Sequence, residues 1–174
     1  MLAAGNVTAL GRLSRLTKLR VTCSMTPAAA WLPGLAACSR LQELRLDHND
    51  LRELSKAELS LLKDLTLLDL QRCRLTGLPA ELAGLSALRR LDVSLQRAEL
   101  TLAAADVGTV RSLPRLERLD IVPRSGDVSA DRARILSDTA VACPGVKFVT
   151  ERYAPGMPLG ISNDFGELIR YLPF

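Results

Sequence analysis

Aliphatic residues recur along the chain at spacings that fit neither a long helix nor an ordinary strand. From Leu41 to Asn49, leucines stand three and then two residues apart, and the same arrangement returns from Leu65 to Cys73. Residues three apart share one side of a 3₁₀ turn, whereas residues two apart share one face of a strand. The pattern therefore predicts a unit that joins one helical turn to one short strand.

Six such units align, and their aliphatic positions form columns. The units start at Leu16, Leu41, Leu65, Leu88, Leu116 and Val146. The position three after the start holds Leu19, Leu44, Leu68, Leu91, Leu119 and Val149. The position five after the start holds Val21, Leu46, Leu70, Val93 and Ile121. Because one unit cannot bury these side chains alone, we expect the units to stack on one another.

The segments Leu41 to Leu51 and Leu65 to Leu75 both follow the pattern L-x-x-L-x-L-x-x-N/C-x-L. On these residues the chain resembles the leucine-rich repeat family. The resemblance implies an α/β fold, a right-handed solenoid of about five to six repeats, with a parallel sheet on the concave side and α or 3₁₀ helices on the convex side. We predict a repeat domain over residues 1–150, which starts within a partial repeat.

The family places Asn or Cys at the ninth position of the unit, where the side chain bonds to the backbone of the turn after the strand. Asn49 and Cys73 match this role, whereas Gln96 and Arg124 do not. The units that carry Gln96 and Arg124 are longer. We expect enlarged loops and fuller helices on the return side of these two units.

Alternation within each strand predicts which side chains point away from the core. The resulting strand surface is the predicted binding site for a partner protein, and its charged and polar residues are Arg20, Arg45, Asp47, Asp69, Gln71, Arg90, Asp92, Arg118 and Asp120.

The middle column of this surface places three aspartates, Asp69, Asp92 and Asp120, on neighbouring strands. Like charges directly opposite one another are unfavourable. Either Arg90 and Arg118 neutralise the row laterally, or the row receives a basic segment of a partner. The opposite end of the column is basic, with Arg20 and Arg45, and would meet an acidic patch.

Composition narrows the class of protein. The chain has 174 residues, of which 48% are hydrophobic, and its formal net charge is +4. Residues 1–42 contain five basic residues and no acidic one, so the positive charge belongs to the N-terminal third. An RNA-associated or ribonucleoprotein subunit is therefore the alternative function. An organelle transit peptide is the alternative interpretation of the same acid-free segment.

Catalytic and metal-binding patterns are missing from the sequence. His48 is the single histidine, and the four cysteines are not clustered as zinc ligands are. We therefore predict a non-catalytic scaffold with no metal and no cofactor. Charges interrupt every apolar run, so no membrane span is expected. An intracellular, cytoplasmic location is expected from the cysteine usage, with organelle import as the alternative.

The two ends of a repeat stack need cover. Residues 151–174 are rich in aromatic residues and are predicted to form a capping segment with a short helix. Its apolar stripe, which serves either as a lid or as a docking site for another protein, comprises Phe165, Leu168, Ile169 and Leu172. No cap is evident before Leu10, so we expect that a partner chain or a longer parent protein covers the N-terminal edge, or that this edge is lightly covered.

Overall fold

The computed structural model describes residues 13–22, 32–52, 59–96, 104–123 and 130–150. Short strands alternate with helical segments throughout these ranges. The strands are β1 (Lys18–Arg20), β2 (Glu43–Arg45), β3 (Leu67–Asp69), β4 (Arg90–Asp92), β5 (Arg118–Asp120) and β6 (Lys147–Val149). The helices are α1 (Leu32–Leu35), α2 (Ala104–Arg111) and α3 (Ala130–Ala142), and 3₁₀ helices span Leu59–Leu61 and Ala80–Gly84.

The strands form one parallel sheet in which each strand pairs with the next along the chain, from β1 to β6. The helical segments stack against one another as the coils do, with α2 in contact with both the second 3₁₀ helix and α3. A parallel neighbour requires a crossover that returns on one side of the sheet with right-handed sense. The predicted right-handed solenoid with helical returns is confirmed.

The turn before each strand has 3₁₀ geometry, as the three-residue spacing predicts. The Leu41 N–H donates to the Cys38 carbonyl at 2.9 Å, and the Cys38 N–H donates to the Leu35 carbonyl at 2.8 Å. The first of these bonds recurs at the start of the other five units, at Leu16, Leu65, Leu88, Leu116 and Val146. The sequence columns therefore correspond to repeated backbone hydrogen bonds.

Leucines fill the interior between the sheet and the helical returns. Leu44, Leu68 and Leu91 are completely buried in the central strands. Full burial of one such side chain stabilises the fold by about 1.5–3 kcal/mol. Because each leucine packs on its counterpart in the next coil, the core runs as one continuous cluster along the solenoid.

The last coil differs from the alignment by one residue. Its turn matches the others at Val146, but its strand starts only one residue later, at Lys147. Phe148, and not Val149, therefore pairs with Leu119 in the column of buried leucines, and Val149 pairs with Asp120. The prediction that Val149 continues that column is wrong, because one residue is missing between the turn and the strand.

The ninth position carries side chains that bond to the backbone of two adjacent coils. The Asn49 amide donates to the Val21 carbonyl at 2.6 Å and to the Leu46 carbonyl at 2.8 Å. The Cys73 thiol donates to the same Leu46 carbonyl at 3.0 Å. These buried donors satisfy carbonyls that the strands leave open.

Gln96 performs the same role, contrary to the prediction. Its amide donates to the Leu70 carbonyl at 2.7 Å and to the Val93 carbonyl at 3.1 Å, and its side-chain oxygen accepts the Leu75 N–H at 3.0 Å. Glutamine has the same amide as asparagine on a longer stem, so the role survives the substitution. Arg124 lies outside the described residues.

The expected fuller helices on the return side are present. The coil that follows Gln96 returns through α2, and the coil that follows Arg124 returns through α3, which has 13 residues. The preceding coils return through shorter segments, namely α1 of four residues and 3₁₀ helices of three and five residues. The enlarged loops expected in the same two units fall on residues 97–103 and 124–129, which lie outside the described residues.

Close packing of the two 3₁₀ helices allows a matched test of glycine positions. A Cβ on Gly84 would lie 2.9 Å from Ser60 Cβ and 3.2 Å from Ser60 Cα. We expect Gly84→Ala to lower the free energy of unfolding by about 1–3 kcal/mol, because backbone would have to shift. Denaturant unfolding measures the loss.

Gly108 provides the control, because a Cβ there meets nothing within 4 Å. It lies inside α2, where alanine is preferred over glycine by about 0.5–1 kcal/mol. Gly108→Ala should therefore raise the free energy of unfolding. Equal effects of the two substitutions would contradict the close approach of the 3₁₀ helices.

Burial of Cys73 makes stability depend on alkaline pH. Desolvation raises the pKa of its thiol from 9.0 to about 12. The unfolded thiol therefore loses its proton at a pH where the folded thiol keeps it, so stability is full below pH 9 and falls above it. From about pH 8 to about pH 10, this group should cost about 1 kcal/mol of unfolding free energy.

Cys73→Ser is the control, since serine keeps a donor for the Leu46 carbonyl and does not ionise. Urea unfolding at both pH values should show a smaller alkaline loss for the variant than for the wild type. Identical losses would mean that the thiol is exposed to solvent.

Candidate functional site

The outward side chains of the six strands form a surface that we call the strand face. Its first row holds the first residue of each strand: Lys18, Glu43, Leu67, Arg90, Arg118 and Lys147. Its second row holds the third residue of each strand: Arg20, Arg45, Asp69, Asp92, Asp120 and Val149. The predicted column from Arg20 to Asp120 is confirmed as a register of neighbouring strands.

The three aspartates of the second row are buried within this face. Asp69, Asp92 and Asp120 have only 4%, 5% and 2% of their surface exposed. The Gln71 N–H donates to Asp69 Oδ1 at 3.0 Å, and the Ser94 N–H donates to Asp92 Oδ1 at 2.9 Å. Asp69 and Asp92 thus bind the backbone two residues after them, as in an Asx turn, and hold the chain as it leaves the strand.

Gln71 and Arg118 compensate the row of negative charge. Gln71 Nε2 donates to Asp92 Oδ2 at 2.9 Å and reaches Asp69 Oδ2 at 3.4 Å, so one amide bridges two carboxylates. Arg118 donates to both oxygens of Asp120, through Nε at 2.8 Å and Nη2 at 2.7 Å. This hydrogen bonding raises the pKa of Arg118. Of the neutralisation expected from Arg90 and Arg118, the structure shows the pair of Arg118 with Asp120, which belongs to the same strand.

The N-terminal end of the strand face has different chemistry. Lys18 pairs with Glu43 at 2.6 Å, and Arg20 reaches Asp47 Oδ2 at 3.3 Å. Asp47 Oδ1 is buried and has no hydrogen-bond partner among the described residues. Arg20 and Arg45 are in register, so two like charges adjoin at this end.

The turns after the strands form one edge of the strand face. His48, Arg72 and Leu95 occupy the same position of successive coils, and all three have positive φ, of 63°, 53° and 60°. Their N–H groups donate to carbonyls of the next coil, which holds the chain in this left-handed turn.

Asp50 lies beyond this turn and binds two arginines. It accepts from Arg52 at 2.7 Å and from Arg74 at 2.8 Å. The hydrogen bond from Arg52, with help from Arg74, lowers the pKa of Asp50 to about 2. The group is exposed, so water screens it and the pairs contribute little to stability.

Within the five described ranges, no group of three or more His, Cys, Asp or Glu side chains is arranged to hold a metal ion. No helix in the described part of the chain has the length and apolarity to cross a bilayer.

Sequence reasoning missed two residues of the strand face, Lys147 and Val149, and named tail residues that lie outside the described residues. Lys147 is in register with Arg118, but the one-residue shift of the last coil hid it from the column alignment. The predicted stripe of Phe165, Leu168, Ile169 and Leu172, and the whole of residues 151–174, lie outside the described residues.

Comparison with known proteins bears on the family. A sequence profile of the leucine rich repeat family matches residues 39–95. Among solved structures, an internalin from Listeria monocytogenes is similar at 15% sequence identity and a TM-score of 0.45. The alignment covers 83% of this chain and 54% of that one, so the chain spans about half the length of the internalin structure. A similarity this distant carries no information about what the chain binds.

The family profile covers the coils that contain β2, β3 and β4, and the strand register extends the same coil on both sides, from β1 to β6. The repeat columns, the parallel sheet and this match agree with one another, and they identify residues 39–95 as leucine-rich repeats.

Proposed function

We propose that the chain is a non-catalytic protein-binding module whose strand face holds an extended segment of a partner. The residues proposed to contact or shape that segment are Arg20, Arg45, Asp47, Asp69, Gln71, Arg90, Asp92, Arg118 and Asp120. Protein binding is typical of leucine-rich repeat proteins, which supports the class of function. The partner and its site on this chain are our inference.

The observation that supports the proposal is that hydrogen bonds within the strand face already fix several of its polar side chains. Gln71 is held by two carboxylates, and Arg118 is held by both oxygens of Asp120. Side chains that are already fixed lose little conformational entropy on binding. A polar surface with this much internal hydrogen bonding is suited to selecting a partner by charge and register.

The roles of these residues differ by exposure. The aspartates are almost fully buried, so we assign them to holding the arginines and the strand ends in place. The accessible contacts then come from the half-buried Arg45, Arg90, Arg118 and Gln71. Leu67 is also half-buried on this face and provides an apolar contact in the middle of the sheet.

Two further contacts belong to the same proposal. We propose that residues 151–174 cap the last coil or dock into a partner through Phe165, Leu168, Ile169 and Leu172. We also propose that another chain or a longer parent protein covers the N-terminal coil, where Leu13 is 46% exposed.

A pair of matched double variants tests the strand face. Arg45→Ser with Leu67→Ser changes one arginine and one aliphatic residue on the strand face. Arg111→Ser with Val141→Ser changes the same residue types on α2 and α3, where both are exposed. Affinity capture with each variant, followed by quantitative mass spectrometry, should recover specific chains with wild type and with the helical-side variant.

The recovered amount of those chains should be lower by about tenfold or more with the strand-face variant. A tenfold decrease in affinity corresponds to about 1.4 kcal/mol of lost binding free energy. Thermal unfolding of both variants shows that each is folded at the capture temperature. Loss with the helical-side variant and retention with the strand-face variant would contradict the proposed site.

A further inference from the structure

The C-terminal half of the strand face carries three positive charges in one row. Arg90, Arg118 and Lys147 are the first residues of β4, β5 and β6, and the strand register places them side by side. Neighbouring strands lie about 4.8 Å apart, a spacing at which like charges repel. We call these three residues the cation row.

The missing residue of the last coil creates the third member of this row. If the last coil had the additional residue that the other coils have between turn and strand, Lys147 would not be in register with Arg118. The same shift places Val149, and not an acidic residue, next to Asp120 in the second row. The acidic row therefore ends at β5, whereas the cation row continues to β6.

The cation row is more exposed than the row of aspartates, and is therefore more accessible to a partner. Asp92 and Asp120 have 5% and 2% of their surface exposed, while Arg90, Arg118 and Lys147 are all half-buried. The bond between Arg118 and Asp120 uses Nε and Nη2, which are two of the guanidinium's three nitrogens. Guanidinium offers five N–H donors, so the pairing orients Arg118 and leaves donors for a second carboxylate.

We propose that the cation row binds an acidic segment of a protein partner that lies across β4, β5 and β6. This inference rests on the proposed function of the strand face and adds the charge of its occupant. Carboxylates of the segment accept hydrogen bonds from donors of the cation row. Asp120 keeps Arg118 oriented, and so acts as a positioning residue.

A protein segment is favoured over a nucleic acid by the composition of the surface. The two rows of the strand face contain no aromatic side chain among the described residues, because Phe148 points into the core. Single-stranded nucleic acids usually bind where bases stack on aromatic rings.

Peptide probes test the charge of the occupant on the full chain. Fluorescein-labelled ten-residue peptides of alternating Glu and Ser, Gln and Ser, or Lys and Ser are titrated, and fluorescence anisotropy reports binding. A ten-nucleotide single-stranded RNA is titrated in parallel. We expect the Glu peptide to bind most tightly, with an affinity that falls as salt rises.

Arg90→Gln with Lys147→Gln removes two charges of the cation row and leaves the Arg118 pair intact. This variant should bind the Glu peptide about tenfold more weakly and with a smaller salt dependence. Arg111→Gln with Arg115→Gln removes two exposed charges elsewhere and should bind within about twofold of wild type. Both variants have the same net charge, so a general electrostatic effect would weaken them equally.

Other outcomes would overturn the inference in distinguishable ways. Tighter binding of the Lys peptide would mean that the occupant is basic and would contradict the proposed acidic segment. RNA binding that the cation-row variant abolishes would replace the protein segment with a nucleic acid. Absence of binding by every probe would contradict the proposal of an acidic occupant. The capture experiment tests separately whether the strand face binds a protein.

Discussion

Parallel pairing in a constant register is the constraint on which the rest of the structure depends. Each strand places its middle residue beside the middle residue of the next strand, so that Leu44, Leu68 and Leu91 stack at the interior. A coil by itself would leave these side chains in water, and only a neighbouring coil removes them from it. Stability, register and the order of the outward side chains therefore come from one and the same contact between coils.

The same stacking leaves backbone polar groups that the strands alone do not satisfy. Asn49, Cys73 and Gln96 meet this need with an amide, a thiol and a longer amide, and all of them reach a carbonyl of the preceding coil. A buried carbonyl without a donor costs about 1–3 kcal/mol, which explains why a donor occupies each of these three positions. The identity of the donor is flexible, because the requirement is a hydrogen bond at that point and not one particular side chain.

On the strand face, acidic and basic side chains differ in how deeply they are buried. The aspartates are buried and bind backbone N–H groups, Gln71 or Arg118, while the cations around them keep partial access to solvent. The two rows of this face contain six basic and four acidic residues, so charge counting alone suggests a weakly positive surface. Burial adds to this difference, because the almost fully buried aspartates offer little surface for direct contact with a partner, whereas the half-buried cations remain accessible. Our proposals for a protein-binding face and for an acidic occupant both follow from this difference.

The spacing of leucines was sufficient to predict the six coils, the 3₁₀ turns and the column from Arg20 to Asp120. Each coil buries the same positions, so apolar residues recur in the sequence with the period of the repeat. The spacing was not sufficient to place Phe148 or Lys147, because Val146 fits the turn column equally well whether or not a residue is missing before the strand. It also misjudged Gln96, since a motif names residue types whereas the backbone carbonyl accepts any donor within reach. Only the tertiary structure could decide that the aspartates are buried and that the cation row extends to β6, because both depend on packing between coils that are distant in the chain.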